Sequence, residues 1–427
     1  MDLDALLIDL GTRRGSDLHL KSGRPPLYRI SGDLLPQHSY PELTDEDMQE
    51  TFVRLMGPER FAEFERRFEG DFSYEIPSFA RFRVNAFIQR GHIGAVLRLI
   101  PLDVPTIDQM NLPDVLKDIT QHPNGLIIVT GPTGSGKSTT LAAMINEVNA
   151  RESVHIITIE DPIEFVYTDQ KATINQRELG MDTHELKHAL RAALRQDPDV
   201  ILMGEMRDAE TIRFGITAAE TGHLVMSTLH TNDAKQSIDR VLDTFEGSEA
   251  NQIRMQLALV LRAVVCQRLV KRADGQGRVA ALEVLINTTH IRQLIEEGAT
   301  RDLEKAMLNG GHWKMSTFNQ SLYNHFTNGY ITAEIALEAS SNPADLELMM
   351  KGIRGGSSAE EMAKRAKEQA DLKTQQKSRP SAGREGAGGA GSGAGAGGGS
   401  AAGSGTGGVK IEPEGDGKEK PKFGRGF

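Results

Sequence analysis

The sequence predicts an α/β protein: a small α+β domain, then a mainly parallel sheet with helices on both faces, then a helical part and a low-complexity tail. Three observations predict it. Short runs punctuated by Gly and Pro fill residues 1–100. From about residue 114, near-continuous apolar runs alternate with helical patterns, as in sheets whose two faces are covered by crossover helices. After about residue 355 the apolar pattern stops, and 385–408 is Gly, Ala and Ser with one Thr and one Glu.

In chain order, "DALLIDLGTRRG" has helical spacing and stops at glycine, while "SDLHLKSG" and "PPLYRISGDLLP" read as short strands. Thr44 caps a helix over "DEDMQETFVRLMGPERFAEFERRF". "GDFSYEI", "ARFRVNAFIQRG" and "HIGAVLRLIP" follow as strands, which closes a domain over 1–100. The proline-rich 101–113 reads as a linker. In the second domain, 114–355, "GLIIVTG", "VHIITIED", "DVILMGEM" and "GHLVMSTLH" are the buried strands. Residues 233–350 read as mainly helical, with "IRMQLALVLRAVVCQRLV" as one strong apolar helix. "NTTHIRQLIEEG" is a shorter helix, capped by Thr288 or Thr289 and ended by Gly298, with Ile291, Leu294 and Ile295 in one stripe. The tail, 356–427, reads as disordered.

Composition narrows the function classes. With 49 basic and 59 acidic residues the net charge is −10, which argues against a dedicated nucleic-acid binder. The lone Cys266 leaves no internal disulfide and no multi-cysteine zinc site, as suits a reducing cytoplasm. The acidic start "MDLDALLIDL" is unlike a secretion signal, and nothing reaches the roughly 20 apolar residues of a membrane span. No direct membrane insertion is expected.

The chemistry is written in four places. "GPTGSGKSTT" matches G-x-x-x-x-G-K-[ST] through Gly131, Gly136, Lys137 and Ser138, between a strand and a helix. Its glycines let backbone N–H groups converge on phosphate, and the helix behind it adds the positive end of its dipole. Lys137 is placed to bridge the β- and γ-phosphates and Ser138 to hold Mg²⁺. The loop does not distinguish ATP from GTP. "DVILMGE" puts Gly204 where such proteins usually carry the strand-ending Asp, with Glu205 next. "VHIITIEDPIEF" ends in Glu160, Asp161 and Glu164. Acids at strand ends beside a phosphate loop suit one carboxylate organising the metal shell and another orienting water, with Glu160 and Glu205 as the candidates. "TGHLVMSTLHTND" flanks one strand with His223 and His230, either of which could hydrogen-bond phosphate or an acidic neighbour.

Together "GPTGSGKSTT", "TIEDPIEF", "LMGEMRDAETI" and "AAETGHLVMSTLHTNDA" resemble the secretion-type ATPases of type IV pili and type II secretion, over roughly residues 1–350. The resemblance implies a PAS-like N-terminal domain, a RecA-like ATPase domain, and ATP bound with Mg²⁺ in the cleft between them. It implies a nucleotide site of Gly131, Pro132, Thr133, Gly134, Ser135, Gly136, Lys137, Ser138 and Thr139. Arg81, Arg83 and Arg98 would stand near the phosphates. Glu160, Glu205, His223 and His230 would take catalytic roles, and Ser138 and Glu205 the metal. It also implies a homohexamer at the cytoplasmic side of the inner membrane. There it would meet a membrane platform protein of the pilus and an accessory retraction ATPase. A short N-terminal region, one cysteine and "HIRQLIEEG", similar to the AIRNLI motif of retraction motors, point to pilus retraction. The alternatives are an assembly or type II secretion motor, or a DNA-remodelling ATPase, against which the acidic balance argues.

Overall fold

The computed structural model describes residues 1–77, 79–100 and 104–352. The Gly-rich segment and the charged terminus lie outside the described residues, as do 101–103 of the linker.

The first domain comprises α1 (Leu3–Thr12), β1 (Asp17–Lys21), β2 (Leu27–Ile30), β3 (Asp33–Pro36), α2 (Asp45–Arg67), β4 (Glu69–Ile76), β5 (Ala80–Gln89) and β6 (His92–Ile100). Its strands form one antiparallel sheet in the order β3-β2-β1-β6-β5-β4. Period-2 alternation sends Phe82, Val84 and Ala86 of β5 into a core with Leu6, Leu7 and Leu10 of α1 and Met48, Phe52 and Phe64 of α2. Arg81 and Arg83 therefore point from the opposite face. Thr44 and Asp47 form a capping box at the start of α2. Gly57, at φ 74°, followed by Pro58, kinks the helix midway.

The second domain continues with α3 (Val115–Ile119), β7 (Gly125–Thr130), α4 (Lys137–Arg151), β8 (His155–Glu160), β9 (Thr173–Glu178), α5 (Leu186–Ala193), β10 (Val200–Glu205), α6 (Ala209–Glu220), β11 (Leu224–Leu229), α7 (Ala234–Leu242), α8 (Gly247–Val260), β12 (Leu261–Lys271) and β13 (Arg278–Ile286). The helical end is α9 (Thr289–Glu296), α10 (Leu303–Leu308), α11 (Phe318–Thr327), α12 (Ala333–Ala339) and α13 (Pro343–Met350). The seven strands run β13-β12-β7-β11-β10-β8-β9, parallel except for the β12–β13 pair. Leu126 and Ile128 face one core, shared with α5 to α8, while Ile127 and Val129 face the other, shared with α3 and α4. Because the central strands are parallel, their carboxyl ends all open on one edge, where the polar residues collect.

Several sequence readings change: β9 and β13 are strands that the sequence did not announce, the second inside the stretch read as mainly helical. The apolar run 253–270 is not one helix: α8 ends at Val260 and β12 begins at Leu261. A run with apolar side chains on every face has no polar phase to reveal its period, and Val264, Val265 and Val270 of β12 favour the extended form. The segment 104–113 is more than a connector, because Ile107 and Leu112 are buried in the core with Leu141 and Met144 of α4. Among the described residues no helix is long and apolar enough to cross a membrane.

Candidate nucleotide site

The phosphate loop joins β7 to α4. Gly131 and Gly136 take φ of 145° and 86°, a left-handed region that disfavours side chains. A Cβ at Gly131 would also lie 2.3 Å from the Gln267 carbonyl oxygen. Gln267 of β12 is buried and braces the loop from below. Its Nε2 donates to the Ser135 carbonyl at 2.8 Å, and its Oε1 accepts from Thr140 Oγ1 at 2.7 Å. Sequence reading missed Gln267 because it was assigned to a helix, and a lone amide in an apolar run carries no motif.

Lys137 is folded back over the loop, Nζ donating to the carbonyls of Gly131 at 2.8 Å and Pro132 at 3.3 Å. Burial pushes its pKa down, opposed by the charges of Glu205 and Glu164. A cleft of about 710 Å³ opens in front of it. Thr133, Gly134, Gly136, Lys137, Ser138 and Thr139 line one wall and Glu160, Glu164, Glu205 and His230 the other.

The acids differ in their freedom. Glu160, at the end of β8, accepts from Thr158 Oγ1 at 2.6 Å and from Gln176 Nε2 at 3.3 Å, and its other oxygen faces the Glu164 N–H at 3.5 Å. Burial raises its pKa, and these hydrogen bonds only partly offset that. Glu164, one turn of loop later, is exposed, and its charge acts on Lys137. Glu205 closes β10, whose pairing with β11 shifts register between Leu202 and Glu205. Such an irregularity re-aims side chains. It accounts for an acid at 205 rather than at Gly204, whose carbonyl accepts from Thr228 Oγ1 at 2.9 Å. Glu205 Oε2 meets Arg207 Nε at 2.8 Å and His230 Nε2 at 3.2 Å.

The histidine pair separates. His230 lines the cleft beside Glu205. His223 stands at the other end of β11, roughly 20 Å away at strand spacing, with Nδ1 against the Ala218 carbonyl at 2.9 Å. The arginines separate too. Arg98 lines the cleft while paired with Asp17 at 2.8 Å. Arg83 faces Asp71 at 3.8 Å, and Arg81 is drawn to Glu178 at 2.5 Å.

Among the described residues no cluster of three or more His, Cys, Asp or Glu side chains forms a self-sufficient metal site. The donors beside the loop, the Ser138 hydroxyl and the Glu205 carboxylate, are hard oxygens. That set suits Mg²⁺, which takes few protein ligands and fills its shell with phosphate oxygens and water.

The chain is similar to several known proteins. Residues 69–312 match the family described as type II/IV secretion system protein. The type IV pilus retraction ATPase PilT of Pseudomonas aeruginosa is 46% identical over 343 residues, 80% of this chain and 99% of that protein. The type IV pilus ATPase PilU of the same organism is 41% identical over 351 residues, 82% of this chain and 92% of that protein. A crystal structure of the pilus retraction motor PilT with bound ADP superimposes with a TM-score of 0.77 at 44% identity, covering 81% of this chain and 99% of that one. With a family match over more than half of its length and relatives matched almost end to end, the chain belongs to the type II/IV secretion system protein family and is an ATPase.

Proposed function

We propose that this chain is a motor that retracts type IV pili by coupling ATP hydrolysis to movement of the small domain against the ATPase domain. The observation that carries the proposal is the 46% identity, over nearly its full length, to a protein named as a pilus retraction ATPase. The cleft supplies the chemistry. The loop amides and Lys137 take the β- and γ-phosphates, with Lys137 exchanging its two carbonyl partners for phosphate oxygens. Ser138 and Glu205 would hold Mg²⁺, which supplies charge neutralisation at the phosphates. Glu164 is exposed and lines the same cleft as Lys137, where it would orient the attacking water and take its proton. Glu160 is engaged by Thr158 and Gln176 and fixes the loop that carries Glu164. His230 fixes Glu205 and sits where it can sense the terminal phosphate. Arg98 is the small-domain arginine that lines the cleft, and closing the domains would bring its charge to the phosphates.

The working assembly in this reading is a ring of six copies at the cytoplasmic face of the inner membrane, acting on the membrane platform of the pilus. Deleting the gene and counting pili tests the direction of work. Loss of a retraction motor leaves many pili that never shorten and no twitching. Loss of an assembly motor leaves none, and a bald deletion strain would reject the proposal.

A further inference from the structure

Strand β9 reads "TINQRE", too polar to announce itself as a strand, and it forms the edge of the large sheet. Gln176 and Glu178, two residues apart, share one face. Both hold the loop that follows β8. Gln176 Nε2 donates to the Phe165 carbonyl at 2.8 Å, and its Oε1 accepts from the Tyr167 N–H at 2.9 Å. Glu178 Oε2 accepts from the Ile163 N–H at 3.2 Å, the residue immediately before Glu164. Glu178 then reaches across to the small domain. The same Oε2 takes Arg81 Nη2 of β5 at 2.5 Å, and Oε1 takes Ser73 Oγ of β4 at 2.7 Å. The Glu178 side chain is 2% exposed and that of Arg81 15%. An ion pair so far from water is costly to split, because the remaining charge is stranded.

We propose that Glu178 is a positioning residue that couples the small domain to Glu164. It ties Arg81 and Ser73 on one side to the backbone of the Glu164 loop on the other. Movement of the small domain then pulls on Ile163 and changes where the Glu164 carboxylate stands relative to Lys137. Arg81 belongs to this joint, and Arg98 is left to face the nucleotide. The inference rests on the reading of Glu164 as the carboxylate that orients water.

The test is a double-mutant cycle on the full chain, with Arg81→Gln, Glu178→Gln and the pair together. ATP turnover, KM and ADP affinity are measured for each, with hydrogen exchange of the peptide spanning 161–167. Each single change should lower kcat about tenfold, within the range of couplings carried by packed networks. ADP affinity should stay within about twofold, and the double variant should be no worse than either single, as expected of one shared interaction. Exchange in 161–167 should speed up without nucleotide. If Glu178→Gln does not fold, Ser73→Ala carries the test, with a drop in kcat and faster exchange expected, and wild-type values for both would overturn the inference. Glu164→Gln separates the two layers. Wild-type turnover in that variant would remove the carboxylate reading and the inference with it. An inactive Glu164→Gln beside a fully active Glu178→Gln would overturn the coupling alone. So would losses that multiply in the double variant, with Arg81→Gln weakening ADP.

Discussion

Lys137 carries the heaviest load of any side chain here, because it is nearly out of water and its charge is balanced by groups that nucleotide binding would rearrange. Replacing it by Ala should lower ATP turnover by about 100-fold or more, as loss of an electrostatic stabiliser in a closed site does. The melting temperature should change little, since Gln267 still braces the loop when the Lys137 contacts to Gly131 and Pro132 are lost. Turnover within a few-fold of wild type in the folded variant would contradict the site. Glu283 makes a pH-dependent prediction. Buried on β13, it accepts from the Ala234 N–H at 2.8 Å, and burial pushes its pKa from 4.5 up to about 7. The folded state thus holds that proton more tightly than the unfolded state, so its stabilising contribution is full below pH 4.5 and is lost as pH rises through 7. Glu283→Gln should flatten this loss, gaining on the order of 2–3 kcal/mol relative to wild type between pH 4.5 and 8. Unfolding curves with the same pH slope for both proteins would refute it. The residue scale also marks the limit of sequence reading. That Lys137, Ser138, Glu205 and His230 share one cleft could be anticipated, because a motif or a strand end fixed the position of each. The strand-end argument favours Glu160 over Glu164, whereas only the fold of the intervening loop shows Glu160 held by Thr158 and Gln176 and Glu164 exposed in the same cleft.

At the scale of elements, α9 follows its sequence closely. Thr288 caps it, with its hydroxyl accepting from the Ile291 N–H at 3.4 Å. Ile291, Leu294 and Ile295 are buried, and Arg292 meets Glu296 at 2.8 Å on the outer face. Leu294→Ala should cost about 2–5 kcal/mol of stability through lost burial and the cavity left behind. Arg292→Ala with Gln293→Ala removes only outer-face groups, so ATP turnover of the purified protein should persist. If this face passes motion to the pilus machinery, cells carrying that pair should stop twitching; normal twitching would reject the role. The contrast with β12 is instructive. An amphipathic helix announces its period through its polar face, whereas β12 is buried on both sides and has almost no polar face to read. Its assignment matters, because as the neighbour of β7 it delivers Gln267 to the phosphate loop. β9 failed to register for the opposite reason: its nearly continuous polar residues look like loop, and Gln176 and Glu178 among them turn out to grip the Glu164 loop.

Among the described residues, an antiparallel sheet and a mainly parallel one meet at the cleft, where Arg98 of the first lines the phosphate loop's pocket. The division into a small antiparallel domain and a parallel ATPase domain was legible from the change in texture near residue 114. The contacts between them were not, since Ser73 and Arg81 lie 105 and 97 residues from Glu178 and share no pattern with it. If six copies close into a ring through repeated head-to-tail contacts, the mass in solution with nucleotide should be six times that of the chain. A strict monomer that hydrolyses ATP equally well at all concentrations would contradict that assembly. The central claim is that hydrolysis in this cleft drives retraction, and its most direct test is to film single pili in cells whose only copy is wild type, Glu205→Gln or Lys137→Ala. Retraction speed should fall in step with the ATP turnover of each purified protein and vanish with Lys137→Ala. Pili that shorten at wild-type speed in the Lys137→Ala strain would contradict it.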